Sequence, residues 1–340
     1  MYTGPMFRPI RILLSNSIAL NIIKNSGQFI VGVALFFVTH GYLLWNNILL
    51  GWLSLNLAYS AVYPFNDIMD YESDMKNPKK HWKSLASGKK AMERTVSMLV
   101  ALLLSGILLS SFLPLMFRLI LVLLLITNFF HSSVHTHFKS NPYLAAPNMA
   151  LMQGLKFSAG WFAMTSSAAG FPIYFIIFLG TLYSFFYLFY KDCLTTKASL
   201  RTRLYIKSFF VVAAVTFVHS FFAYGFKLLV LLTLMYVVVL IAFYVVHERF
   251  TTYDKFGLIS FSLFSVFMMG GFLLLLTSTG TELNNDIEKG IESIQHAISD
   301  RIPPLWKAAY SSIYKGLQKD FYEIAEVLNG WDSSQPIPRQ

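Results

Sequence analysis

Asn66-Asp67-Ile68-Met69-Asp70-Tyr71-Glu72-Ser73-Asp74 decides how this chain is read: four carboxylates fall within eight positions, between two long apolar runs. The surrounding 340 residues are 55% hydrophobic and only 13% charged, with a mean hydropathy of +0.55, which marks an integral membrane protein. A charged side chain beside lipid is costly, so those that persist mark binding or catalysis.

Counting outward from the acidic run, apolar stretches fall near residues 27–44, 46–64, 95–113, 116–131, 149–167, 171–190, 205–224, 226–246 and 257–277. Each approaches the roughly 20 residues a spanning helix needs. The expected fold is all-α, a polytopic membrane bundle of about nine transmembrane helices over residues 1–277. Residues 278–340 form a tail of different composition. Leu283, Ile287, Ile291, Ile294 and Ile298 recur there at helical spacing, as do Ile313, Leu317, Phe321, Ile324 and Leu328, so two amphipathic helices are expected, separated near Pro303-Pro304. Such helices lie on the membrane or pack on a neighbouring subunit in a homo-oligomer. No small-residue cleavage site follows the first apolar segment, so no secretory leader is expected. The single Cys193 excludes an intrachain disulfide and gives no zinc spacing.

The net charge of +10 does not indicate nucleic acid, because the basic residues sort by membrane side. With the N-terminus inside, the inner segments carry Arg8, Arg11 and Lys24, the lysines of 76–90, and the basic residues of 191–207. The short outer loops carry only Arg118 and Lys227. This bias places the acidic run on the cytoplasmic side. Inner basic loops also suit anionic headgroups or phosphorylated substrates.

Taken as one helix, residues 66–74 put Asp67, Asp70 and Asp74 at i, i+3 and i+7 on one face, with Glu72 opposite. Three carboxylates on one stripe repel each other until a cation joins them. Hard oxygen donors near a phosphate favour Mg²⁺, which keeps several waters and shares its other positions with substrate phosphates. Asn66 adds a neutral oxygen or a donor. The bland alternative is a solvated acidic helix end paired with the lysines that follow. His131, His135 and His137 invite a zinc reading, but no acid completes the set, and a polar helix end accounts for them.

The run Asn66, Asp67, Asp70, Asp74 resembles the Asn-Asp-x-x-Asp-x-x-x-Asp signature of the UbiA superfamily of intramembrane prenyltransferases. Asn77-Pro78-Lys79-Lys80 and Leu85-Ala86-Ser87-Gly88 look like segments that follow it in the family, and Lys83-Ser84 departs from the usual Arg-Pro. Lys24-Asn25 is similar to a first-helix pair of one subgroup. Gly154-Leu155-Lys156-Phe157-Ser158-Ala159-Gly160 resembles the fifth-helix segment where a basic residue precedes Ala-Gly. The second acidic motif of the family is met only by Asp192, with Thr196 where its partner acid would fall.

The resemblance implies a transferase domain over 1–277 that uses Mg²⁺ on Asp67, Asp70, Asp74 and Asp192 to hold the diphosphate of an isoprenoid donor. Asn66 would orient it, and Lys79, Lys83 and Lys156 would meet phosphate. An electron-rich acceptor then takes the prenyl group. An alternative within the superfamily moves phosphoribose from phosphoribosyl pyrophosphate to a polyprenyl phosphate. It is suggested by Lys24-Asn25 and by a basic second connection, where Lys191, Arg201 and Arg203 would bind phosphate. A third reading, from another class, is a cation-coupled transporter or lipid-binding protein, which would place its charges at the membrane midplane rather than at a helix mouth.

Overall fold

The computed structural model describes residues 17–76, 89–133, 141–194, 200–223 and 277–299, together with positions 138, 233, 267, 270, 271, 273 and 274. Every regular element among them is an α-helix: α1 (Ser17–His40), α2 (Trp45–Ser60), α3 (Val62–Met69), α4 (Tyr71–Met75), α5 (Lys89–Ser110), α6 (Leu115–Ser132), α7 (Pro142–Phe162), α8 (Ile173–Leu194), α9 (Leu200–Ala223) and α10 (Ser278–Ser299). Among the described residues, four stretches are long and apolar enough to cross a bilayer: Ile22–His40, Trp45–Met69, Met92–Ser110 and Leu115–Ser132. Shorter apolar segments, Ile173–Phe185 and Lys207–Phe221, lie in α8 and α9. The expected eighth and ninth spans fall outside the described residues apart from isolated positions, as does the second tail helix. The first tail helix is α10, and its Ile287 packs against the main core.

Local chemistry sets the helix ends. Gly41, at φ 77°, closes α1 in the left-handed conformation that glycine takes without strain, and its amide bonds the Phe37 carbonyl at 2.7 Å. Asn141 caps α7, its side chain accepting from the Tyr143 amide at 2.9 Å, with Pro142 in the first turn where a missing N–H is harmless.

The apolar stretches leave 132–148 between two spans, where Asn141-Pro142 and Pro147 would be expected to break helices; α7 instead begins at Pro142 and carries Pro147 inside it. Pro147 cannot donate to the Tyr143 carbonyl one turn back. The hydroxyl of Tyr205, on α9, takes that carbonyl instead, at 3.0 Å. The two tyrosine rings also touch, with centroids 4.8 Å apart.

The acidic run also differs from the single helix expected. Pro64 cannot donate to the Ser60 carbonyl, and the chain divides into α2 and α3 at Ala61. A second joint falls at Asp70, whose φ of −86° and ψ of 0° lie in the bridge region between helix and turn. The amide of Asp70 still bonds Asn66 O, and that of Asp74 bonds Asp70 O, both at 2.8 Å. The stripe of acids therefore survives the joint.

Helix α7 is the hub, packing against α1, α2, α6, α8 and α9. In lipid, helices associate through close packing rather than hydrophobic transfer, which favours small residues at crossings. Gly32 on α1 and Gly160 on α7 meet so closely that a Cβ on either would run into the partner's backbone, at Phe157 O and Phe29 O respectively. Around this crossing Phe29, Phe36, Phe157 and Trp161 are fully buried. Outward, α5 shows Met98, Leu104 and Leu108, and α9 shows Val211, Val215 and Val218, a surface suited to lipid.

Candidate active site

The polar residues midway along α1 and α7 turn inward. On α1, Lys24, Asn25 and Gln28 are buried; on α7, so are Asn148, Gln153, Lys156 and Ser158. This is the expected disposition of polar groups at membrane depth, which must face one another or a cavity. The Gly32–Gly160 contact brings the two polar faces together. Gln28 Nε2 donates to Gln153 Oε1 at 2.8 Å, and Lys156 Nζ donates to Asn25 Oδ1 at 3.0 Å. Lys24 Nζ approaches the Tyr183 hydroxyl of α8 at 3.5 Å.

Two turns in from the acidic run, Tyr59 of α2 completes the cluster. Its ring lies 3.9 Å from Lys156 Nζ, and its hydroxyl donates to Asn128 Oδ1 of α6 at 3.1 Å. Tyr63 continues the line toward the acids, its ring centroid 6.1 Å from that of Tyr59. Two lysine side chains, Lys24 and Lys156, are thus buried in one low-dielectric interior. Among the described residues, Lys156 contacts only neutral groups.

Asp67 and Asp70 are half-buried, Asp74 is buried and Glu72 is exposed, as the helical stripe requires. None of the three aspartates stands without a partner. Among the described residues, Asn66 Oδ1 is buried without a hydrogen-bond donor at the head of the stripe. No three His, Cys, Asp or Glu side chains converge into a cage among the described residues. Magnesium does not need one, since it takes one or two carboxylates and completes its octahedron with water and phosphate. The donors of the run suit that ion in kind: Asp67, Asp70, Asp74 and Asn66 offer hard oxygens, of which one or two carboxylates would suffice.

The structure brings Lys24, Asn25 and Lys156 together and sets Asn66, Asp67, Asp70 and Asp74 along one stripe. Lys79 and Lys83 lie outside the described residues, as do His135 and His137. Lys191 and Asp192 fall on the last turn of α8, and Arg201 and Arg203 on the first turn of α9; the description of these four stops at the helix. Sequence reasoning missed Tyr59, Asn128, Gln28, Gln153 and Tyr183. A signal existed in the spacing of polar residues inside apolar spans: Lys24 and Gln28 at i and i+4, Gln153 and Lys156 at i and i+3, Tyr59 and Tyr63 at i and i+4.

An all-helical bundle with four stretches long and apolar enough to cross a bilayer among the described residues is the architecture of a multi-pass membrane protein. The model of the UbiA prenyltransferase family matches residues 28–257, and the chain belongs to that family. It is accordingly a transferase, which sets aside the transporter reading. Among solved structures, one from work on digeranylgeranylglyceryl phosphate synthase in membranes is similar in fold. Its TM-score is 0.51 at 16% identity, over 74% of this chain and 92% of that one. No curated protein gives a significant match.

Proposed function

We propose that the chain is a magnesium-dependent intramembrane transferase that moves a prenyl group from a polyprenyl diphosphate to an acceptor. The reading rests on two features: an acidic run at a helix end, and a buried lysine, Lys156, that touches only neutral groups among the described residues. Tyr59, whose ring meets Lys156, precedes the acidic run by about two turns of chain. A diphosphate would suit both features, with the acids holding its magnesium and the lysines supplying positive charge.

In this scheme Asp67, Asp70 and Asp74 would supply carboxylates for the ion, Asn66 would orient the diphosphate, and Lys24 and Lys156 would supply positive charge toward it from the buried interior. Magnesium supplies Lewis-acid stabilisation of the negative charge on the departing diphosphate. The allylic C–O bond breaks with its electron pair leaving on diphosphate, and the allylic cation bonds to an electron-rich acceptor that loses a proton. Preorganised lysines in a water-poor interior act most strongly on charge that develops in the transition state. The exclusion of water also keeps the cation from being hydrolysed. Asp192 would add a carboxylate from the second connection, with Lys79 and Lys83 adding positive charge. The N-terminus and the acidic stripe would face the cytoplasm.

A second reading, phosphoribosyl transfer to a polyprenyl phosphate, draws on the same lysine pair. Lys24 and Lys156 lie deeper than the acids and would suit a lipid-borne phosphate, while the acids and metal held the pyrophosphate of the donor. Lys191, Arg201 and Arg203 would then meet phosphate from the α8–α9 connection. Purified protein incubated with magnesium and either a labelled prenyl diphosphate with a panel of aromatic and lipid acceptors, or phosphoribosyl pyrophosphate with a polyprenyl phosphate, separates the two. Pyrophosphate release in one mixture, abolished by EDTA and restored by Mg²⁺, is the expected result. Release in neither would refute the transferase chemistry, and release unaffected by EDTA would refute the metal.

A further inference from the structure

Lys156 has no exposed surface, and what touches its ammonium is neutral. An ammonium has three N–H bonds to place. One goes to Asn25 Oδ1, and the charge rests 3.9 Å from the Tyr59 ring centroid. A ring face attracts a cation through its quadrupole and leaves the charge intact, whereas a carboxylate in that place would cancel it. The ring is also fixed in attitude. Its hydroxyl donates to Asn128 Oδ1 at 3.1 Å, and Asn128 is anchored to its own helix by a 2.7 Å bond from Nδ2 to Leu124 O. One helix beyond, Asn148 of α7 donates to the Thr127 carbonyl at 3.3 Å and sets α7 against α6 next to Asn128. Tyr59 and Asn128 are separated by 69 residues in sequence, and Lys156 and Asn25 by 131.

We propose that Tyr59 is a positioning residue for the transfer reaction: its ring face, oriented by Asn128, holds the Lys156 ammonium in place with its charge unneutralised for the diphosphate. The proposal rests on the transferase reading above. A purely packing role for Tyr59 would predict that its loss lowers stability and does nothing specific to anion affinity.

The test uses the purified full chain in detergent, with inorganic pyrophosphate and Mg²⁺ as the calorimetric probe and KM and kcat measured alongside. Tyr59→Leu should weaken pyrophosphate binding about tenfold, the scale of a desolvated cation–π contact. It should raise the KM of the diphosphate substrate more than it lowers kcat. Tyr59→Trp, which keeps an aromatic face, should stay within about threefold of the wild type. In a Lys156→Met background, Tyr59→Leu should weaken pyrophosphate no further, because its effect passes through the ammonium.

If Tyr59→Leu does not fold, the cycle of Asn128→Leu with Tyr59→Phe asks the same question. Asn128→Leu should weaken pyrophosphate when the tyrosine hydroxyl is present and have no further effect when it is absent. Wild-type affinity in Tyr59→Leu, or effects that simply add in either cycle, would overturn the proposal. A wild-type protein that neither binds pyrophosphate nor releases it would instead overturn the functional reading on which the proposal stands.

Discussion

Replacing Lys156 with methionine should remove most of the activity and leave the fold about as stable as before. The Asn25 bond to a charged donor contributes about 1.5–3 kcal/mol, and a desolvated ring contact contributes about 2 kcal/mol. Against them stands the desolvation of a fully buried ammonium, several kcal/mol even after relaxation. The opposing contributions are of the same size. Methionine nearly matches the length of lysine and fills an irregular gap without a charge. Its main debit is an Asn25 oxygen left without its donor, about 1–3 kcal/mol.

The unfolding midpoint in detergent should therefore stay within about 5 °C of the wild type or rise. Turnover should fall about 100-fold or more, the usual effect of removing one preorganised donor from developing charge. Thermal unfolding and labelled pyrophosphate release, measured on one preparation, give both numbers. A midpoint lowered well beyond that range, with activity lost only in proportion to folded protein, would make Lys156 a structural residue. Activity kept within threefold would remove it from the site.

Asp67→Ala and Asp70→Ala should each abolish turnover while the protein remains folded and monodisperse in detergent, since both side chains are half-buried at a helix end rather than in the core; full activity in both would exclude them as ligands. Gly160→Leu should prevent α1 and α7 from meeting at Gly32, lowering stability by about 3 kcal/mol or more on the scale of severe overpacking. Loss of folded protein on size-exclusion chromatography checks this, and a normally folded variant would contradict the backbone contact.

The acidic stripe was legible because its information is local: three aspartates at i, i+3 and i+7 keep one face through two short helices and a joint. Lys24 and Lys156 stood out because Lys24-Asn25 and Gly154–Gly160 resemble segments of the family, and Lys156 also as a charge within an apolar stretch. What joins them was not legible, because helical periodicity identifies an inward face without naming the helix it will meet. Gly32 gives no sign in the sequence that its neighbour is Gly160, and that one crossing puts Asn25 beside Lys156. The breaks were misjudged for a related reason. Pro147 reads as a helix breaker from its neighbours alone, yet the carbonyl it frees is taken by a hydroxyl 62 residues away in sequence.

That hydroxyl bears on any attempt to exchange parts between members of the family. The segment bearing Lys191, Asp192, Arg201 and Arg203 is where a graft from another transferase would most naturally be made to trade one donor for another. Its downstream seam falls at Tyr205, which seats α9 on the rung that Pro147 leaves open in α7. A transplant ending before residue 205 keeps this seat, whereas one that carries in a different residue there leaves the new motif without its registration against the helix that bears Lys156. Chimeras with the same loop and different seams should therefore differ in activity, even though Tyr205 lies outside the cluster around Lys156.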